Sequence, residues 1–217
     1  LQERFDQLEE IDQHLYADKT KYQRKEDFTP AEFYDRAGIW AEFGKIICIS
    51  VGYFVNRDGQ QFRTRSFVGE EKGLIEEFAA LLNEHFSGRN HLMCAHNGKE
   101  FDFPYIARRM VILGIEIPSK LNLFGKKPWE VPHLDTLELW KFGDYKHYTS
   151  LKLLTRILGI PSPKDDIDGS QVRDVFYHEN DIQRIATYCE KDVVAVAQII
   201  LKLRKESILT DEQIISK

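Results

Sequence analysis

The chain has 217 residues, of which 42% are apolar and 30% charged, and carries a net charge of −5. That size and apolar content suit an α/β domain with a buried core and exclude wholesale disorder. No apolar run approaches the roughly 20 residues that cross a bilayer, the first residues lack a signal-peptide apolar stretch, and the acidic balance argues against coating nucleic acid by bulk charge.

Residues 1–27 are highly charged and place Phe5, Leu8, Ile11 and Leu15 at helical spacing, which predicts a helix burying one stripe, then a polar linker. Thr29-Pro30 is a helix start, with threonine at the N-cap and proline at the first helical position. That helix ends near Gly38. Residues 45–55 are β-branched and aromatic and predict a strand. Asn56-Arg57-Asp58-Gly59 is a hairpin turn, and residues 61–68 return as an outer strand. Residues 70–86 form an amphipathic helix with Leu74, Ile75, Phe78, Leu81, Leu82 and Phe86 inward, closed by Gly88. Residues 91–95 predict a short strand, Asn97-Gly98 a turn, and residues 103–113 a helix ended by Gly114.

Residues 116–132 form a long surface loop, basic at its centre. Residues 134–140 fit a short strand or a short helix equally well. Residues 150–158 and 171–176 are short helices. Residues 181–203 are one long helix, with Ile182, Ile185, Ala186, Val193, Val196, Ala197, Ile200 and Leu203 at three- and four-residue steps. About three strands are visible, fewer than this many helices would normally cover. Cys48, Cys94 and Cys189 lack metal-ligand spacing and read as reduced thiols, hence a cytoplasmic setting. The whole reads as a single α/β domain: a helical segment over 1–37, a core over 38–204 and a tail over 205–217.

Two acids stand out. Tyr188 and Asp192 lie one turn apart on one face of the last helix. A carboxylate there can hold a metal through oxygen, and a phenol beside it can orient a water. Asp102 follows the Asn97-Gly98 turn where a strand feeds a helix, the end at which α/β folds bind ligands. Taken alone, Asp102 suits a helix N-cap, and Phe101 an anchor into the core. His91 and His96 have no thiol partners nearby and read as structural histidines rather than zinc ligands. Asp135 reads as a helix cap or a supporting residue.

Asn97-x-x-x-Phe101-Asp102 resembles the second exonuclease motif of the DEDDy 3′–5′ exonucleases, and Tyr188-x-x-x-Asp192 resembles the third. Residues 41–50 (Ala-Glu-Phe-Gly-Lys-Ile-Ile-Cys-Ile-Ser), Asp168-Gly169-Ser170-Gln171-Val172 and the text around Tyr188 are similar to the proofreading domains of family B DNA polymerases. The resemblance spans about residues 39–203 and is nearest to the predicted polymerase-B-like exonucleases. It implies a ribonuclease H-like exonuclease fold with a mixed central sheet flanked by helices.

The resemblance further implies removal of nucleotides from single-stranded DNA 3′ ends with two Mg2+ or Mn2+ ions. Asp102 and Asp192 would be metal ligands, and Tyr188 would position water. Asn97 and Phe101 are carried over as substrate contacts. Lys126, Lys127 and Trp129 in the basic loop are candidate strand contacts, because single strands are held by cations and aromatic platforms. Lys141, Lys146, His147 and Tyr148 are softer candidates, and Trp40 and Phe43 fit either a cleft lining or core packing. The family's first motif, an Asp-x-Glu on the opening strand, is not found on any apolar strand here. The expectation is that its strand lies upstream of Leu1 and that this chain alone has little activity. RNA is an alternative substrate, and a non-catalytic nucleic-acid-binding module an alternative function. No membrane partner is expected, and the oligomeric state stays open.

Overall fold

In the computed structural model, which describes residues 2–24, 27–56, 60–144, 146–161 and 167–216, the chain falls into two compact units, Leu1–Ile46 and Ile47–Lys217. The first unit is built on one tyrosine. Helix α1 (Glu10–Arg24) buries Tyr16 and Thr20, whereas Ile11 and Leu15, expected on its inner stripe, are 62% and 53% exposed. The Tyr16 ring meets Phe5, Tyr34, Trp40 and Phe43 at centroid distances of 5.1–6.0 Å. Its hydroxyl donates to the Phe33 carbonyl at 2.8 Å. A tyrosine buries more area than a leucine and satisfies its polar tip here, so it sets the helix rotation. Phe5 and Leu8 pack on this cluster as expected, and Trp40 and Phe43 belong to it too. Thr29 caps the next turn by exchanging hydrogen bonds with Glu32, and a 3-10 turn, Tyr34–Ile39, closes the segment.

The second unit opens with strands β1 (Cys48–Asn56) and β2 (Gln60–Val68), antiparallel in register from Cys48 opposite Val68 to Asn56 opposite Gln60. Arg57, Asp58 and Gly59 of the expected turn lie outside the described residues. Helix α2 (Glu71–His85) buries Leu74, Ile75, Phe78 and Leu82 of the predicted face. The two-residue strand β3 (Cys94–Ala95) leads through a tight turn into α3 (Asp102–Leu113). Gly114 caps α3 at a left-handed φ of 68°. Strand β4 (Leu134–Asp135) runs directly into α4 (Thr136–Lys141), so the ambiguous stretch is both strand and helix.

Helix α5 (Leu151–Ile157) is capped by the Ser150 hydroxyl. Helix α6 (Val172–Asp174) passes into a π turn, Val175–Glu179, and then comes α7 (Ile182–Leu203), capped by Asp181. A last strand, β5 (Ile214–Ser216), pairs parallel with β2. Strand β2 is therefore the middle of a β1-β2-β5 sheet and not its edge; the imperfect alternation of its side chains reflects burial on both faces. A second, parallel sheet joins β3 and β4. The architecture is mixed α/β with a small mixed sheet.

Helix α7 packs across β1 and β2 and reaches β3 and α5. The approach to β1 is tight at Gly52, where an added Cβ would sit 2.3 Å from the Phe62 ring and 2.8 Å from Val193. Only glycine fits so close a crossing. Helix α3 is locked to α2 by a bidentate ion pair: Arg109, 7% exposed, grips both Glu71 oxygens at 2.8 and 2.6 Å. No helix among the described residues is long and apolar enough to cross a membrane.

Candidate active site

The turn after β3 delivers Asp102, and its shape follows from three residues. Asn97 adopts φ 64°, a left-handed conformation that asparagine tolerates. Gly98 follows because a Cβ there would lie 2.4 Å from the Ala95 Cβ and 3.4 Å from Asp102 Oδ2. Asp135, 2% exposed, holds the turn on either side of Gly98. Its Oδ1 accepts from the Asn97 N–H at 2.9 Å and its Oδ2 from the Lys99 N–H at 3.1 Å. The same carboxylate caps α4 through the Leu137 and Glu138 N–H groups. Asp135 is thus both the helix cap and the support expected of it.

Asp102 is the first residue of α3, and Phe101 is the N-cap. The N-cap role that suits an isolated aspartate is not taken, because the backbone turns one residue earlier. Phe101 is not a core anchor either. It is 43% exposed, with its ring 5.6 Å from Tyr105. Phe103, 5% exposed, takes the core position and packs edge-on against His133 at 5.2 Å.

The Asp102 carboxyl is pushed up to about 6, first by burial and then by the nearby Asp135 charge, against a lowering hydrogen bond from its own backbone N–H. The side chain is nevertheless reached by solvent.

Helix α7 brings the second acid. Tyr188 and Asp192 are half-buried, one turn apart. The Tyr188 ring packs on a cluster of Ile167, Val175 and Ile185, and a Cβ on Gly169 would stand 4.0 Å from its hydroxyl. Between the two, the Cys189 thiol is pushed far up, foremost by its hydrogen bond with Cys48, then by burial, then by the charges of Cys48, Asp192 and Asp102. Asp192 lies on α7 with that thiol, and Asp102 stands at the head of α3.

Glu190 was not singled out by the sequence. Its carboxylate accepts from Thr64 Oγ1 at 3.0 Å, Ser66 Oγ at 2.7 Å and Ser216 Oγ at 2.6 Å. It ties α7 to β2 and β5 between Tyr188 and Asp192. The only local signal is an acid inside an apolar helix face, which does not reveal three hydroxyls from two strands.

The remaining candidates sit apart. Lys127 Nζ stacks 5.3 Å over the Trp129 ring, and Trp129 is 77% exposed. Lys126 lines a cavity with Arg89, Lys120 and His133. Tyr148 is exposed, and His147 pairs with Asp144 at 3.1 Å. His96 engages Thr136 Oγ1 and the Thr149 carbonyl through its two ring nitrogens. Among the described residues, no group of three or more His, Cys, Asp or Glu is placed to hold a metal. A family model described as a predicted 3′–5′ exonuclease related to the exonuclease domain of PolB matches residues 39–213.

Proposed function

The chain belongs to the family of predicted 3′–5′ exonucleases related to the exonuclease domain of PolB, and from that premise we propose that it removes nucleotides from single-stranded DNA 3′ ends by metal-dependent hydrolysis. The observation that carries the reading is the match of that family model to residues 39–213, over which Asp102 heads α3 and Tyr188 and Asp192 stand one turn apart on α7. The proposed fold is ribonuclease H-like. Among the described residues β1 and β3 each pair on one side only, which leaves edges on which a further strand bearing an Asp-x-Glu would fit.

The donor chemistry suits Mg2+ or Mn2+. Both ligands offered are hard carboxylate oxygens, and Mg2+ is commonly held by one or two carboxylates with water and substrate phosphate completing the set. The raised Asp102 carboxyl points the same way, since a carboxyl short of compensating positive charge is one that a cation relieves. When bound, such ions stabilise charge on the attacking and leaving oxygens of the phosphodiester.

The chain's own residues do the rest. Asp135 holds the Asn97–Lys99 turn from which Asp102 starts α3. The Tyr188 hydroxyl, beside the Asp168–Ser170 turn, orients a water toward the scissile phosphorus. Phe101, exposed at the head of α3, offers a ring on which the terminal base stacks, with Asn97 beside it. Asp102→Asn or Asp192→Asn is expected to lower release of nucleotide from a 3′-labelled oligonucleotide by at least about a hundredfold. Wild-type turnover in either variant would refute the assignment.

A second reading, a module that binds 3′ ends without cutting them, is favoured by the lack, among the described residues, of a group of three or more His, Cys, Asp or Glu placed to hold a metal. It predicts that the same oligonucleotide is bound with Mn2+ but not shortened.

A further inference from the structure

A cavity of about 270 Å³ opens between the end of α2 and the 116–132 loop, lined by Ser87, Arg89, Leu92, Ser119, Lys120, Leu123, Lys126, Pro132 and His133. Its lining holds three cations and no carboxylate, in a chain whose net charge is −5. Lys120 is fixed there. Its ammonium donates to the Gly88 and His91 carbonyls at 2.6 and 2.7 Å. Its own carbonyl takes a hydrogen bond from His133 Nε2 at 2.7 Å, while His133 Nδ1 accepts from the Met93 N–H. With both ring nitrogens committed, His133 is a neutral wall. Its imidazole is held below the usual range first by burial and then by the charges of Lys120, Lys99 and Lys126. The potential inside the cavity is therefore positive. Arg89 and Lys126 form no ion pair among the described residues, so their charges are available to a ligand.

The same loop carries two rings turned to solvent, Phe124 at 95% and Trp129 at 77% exposure. Trp129 is stiffened by the Lys127 ammonium above it. The cavity wall meets the candidate active site where His133 packs against Phe103, the neighbour of Asp102.

We infer that this cavity is a second subsite, which takes a backbone phosphate of the single strand upstream of the terminal nucleotide while Trp129 and Phe124 receive flanking bases. Cations in a concave wall hold phosphate, and exposed rings beside them stack bases without regard to sequence. The inference rests on the exonuclease reading for the identity of the strand but not on cleavage. It accounts for how an acidic protein grips a polyanion: three cations face one recess that no carboxylate lines.

The test is fluorescence anisotropy of a labelled short oligothymidylate on the full chain, with EDTA present so that no cleavage occurs, over a salt series. Arg89→Ala/Lys126→Ala is expected to weaken binding about tenfold at low salt and to cut the slope of log affinity against log salt by about 1.4, the share of two phosphate contacts on a single strand. Lys202→Ala/Lys205→Ala, which removes one cation from the last turn of α7 and one just beyond it, should leave both quantities unchanged. Equal losses in the two double variants would mean bulk charge only and overturn the subsite. So would saturation of the cavity by millimolar inorganic phosphate with no effect on oligonucleotide affinity. A wild-type protein that binds through Arg89 and Lys126 yet leaves the strand unshortened when Mn2+ replaces EDTA would sink the exonuclease reading and leave the subsite standing. Circular dichroism melts of both variants check that the fold is intact.

Discussion

Asp102 carries its negative charge against its surroundings. An acid whose folded pKa is raised binds more protons in the folded state than in the unfolded one between the ordinary value, 3.8, and about 6. Stability therefore falls as pH climbs through that window, and the penalty is complete above it. Asp102→Asn removes the penalty. Because the carboxyl is reached by solvent, screening trims the gain to on the order of 1 kcal/mol, or about 2–4 °C in a chain of this size. The chelated variant should melt higher than wild type near pH 8, and the difference should vanish near pH 4. A variant that melts lower at pH 8 would show that the carboxylate is stabilising as it stands. The sign matters for function, since a residue that destabilises the empty fold is one retained for what it binds.

Helix α7 is placed by two contacts of opposite kind. Gly52 lets it lie close against β1, and Glu190 pins it through hydroxyls of β2 and β5. Thr64, one of those partners, is 2% exposed, so loss of its acceptor leaves a buried polar group unsatisfied. Glu190→Ala should lower the unfolding free energy by about 2–3 kcal/mol in a urea titration, and Glu190→Gln, which keeps the shape and one acceptor, by about 1 kcal/mol. If both variants match wild type, the three hydroxyls do not anchor the helix. The ordering also bears on the site, because Tyr188 and Asp192 move with α7. The alanine variant should bind Mn2+ more weakly in calorimetry although it touches no candidate ligand.

For the molecule as a whole, the C-terminal residues are structural. Leu209 is 5% exposed and exchanges two hydrogen bonds with the buried Gln198 side chain, at 3.0 and 2.8 Å. Beyond it, β5 covers the outer edge of β2, and Ser216 reaches Glu190. Ending the chain after Ile208 uncovers an apolar cluster of Phe62, Ala197 and Leu201 and orphans Gln198. The expected loss is about 3–5 kcal/mol, read as a thermal midpoint lower by roughly 10 °C. A midpoint within a degree or two of the full chain would mean that β5 adds nothing.

The longer helices were legible because each carries its own evidence: the three- and four-residue steps of α2 and α7, and the stop at Gly114 after α3. The candidate acids were legible because their spacing and flanking residues resemble a family's motifs. What the chain does not announce locally was misread or missed. The rotation of α1 depends on a tyrosine whose partners come from three other stretches. Strand β5 is three residues long and exists only because β2 has an open edge. Phe101 and Phe103 are two residues apart and equally apolar, and only the turn held by Asp135 decides which one faces water. The amino-acid order by itself determined the longer helices, the β1–β2 hairpin strands and the family, since these rest on local periodicity and motif. Tertiary structure alone decided the middle place of β2, the anchoring of Glu190 and the gathering of Arg89, Lys120 and Lys126 into one recess, because long-range burial and hydrogen-bond satisfaction leave no mark on any single stretch of chain.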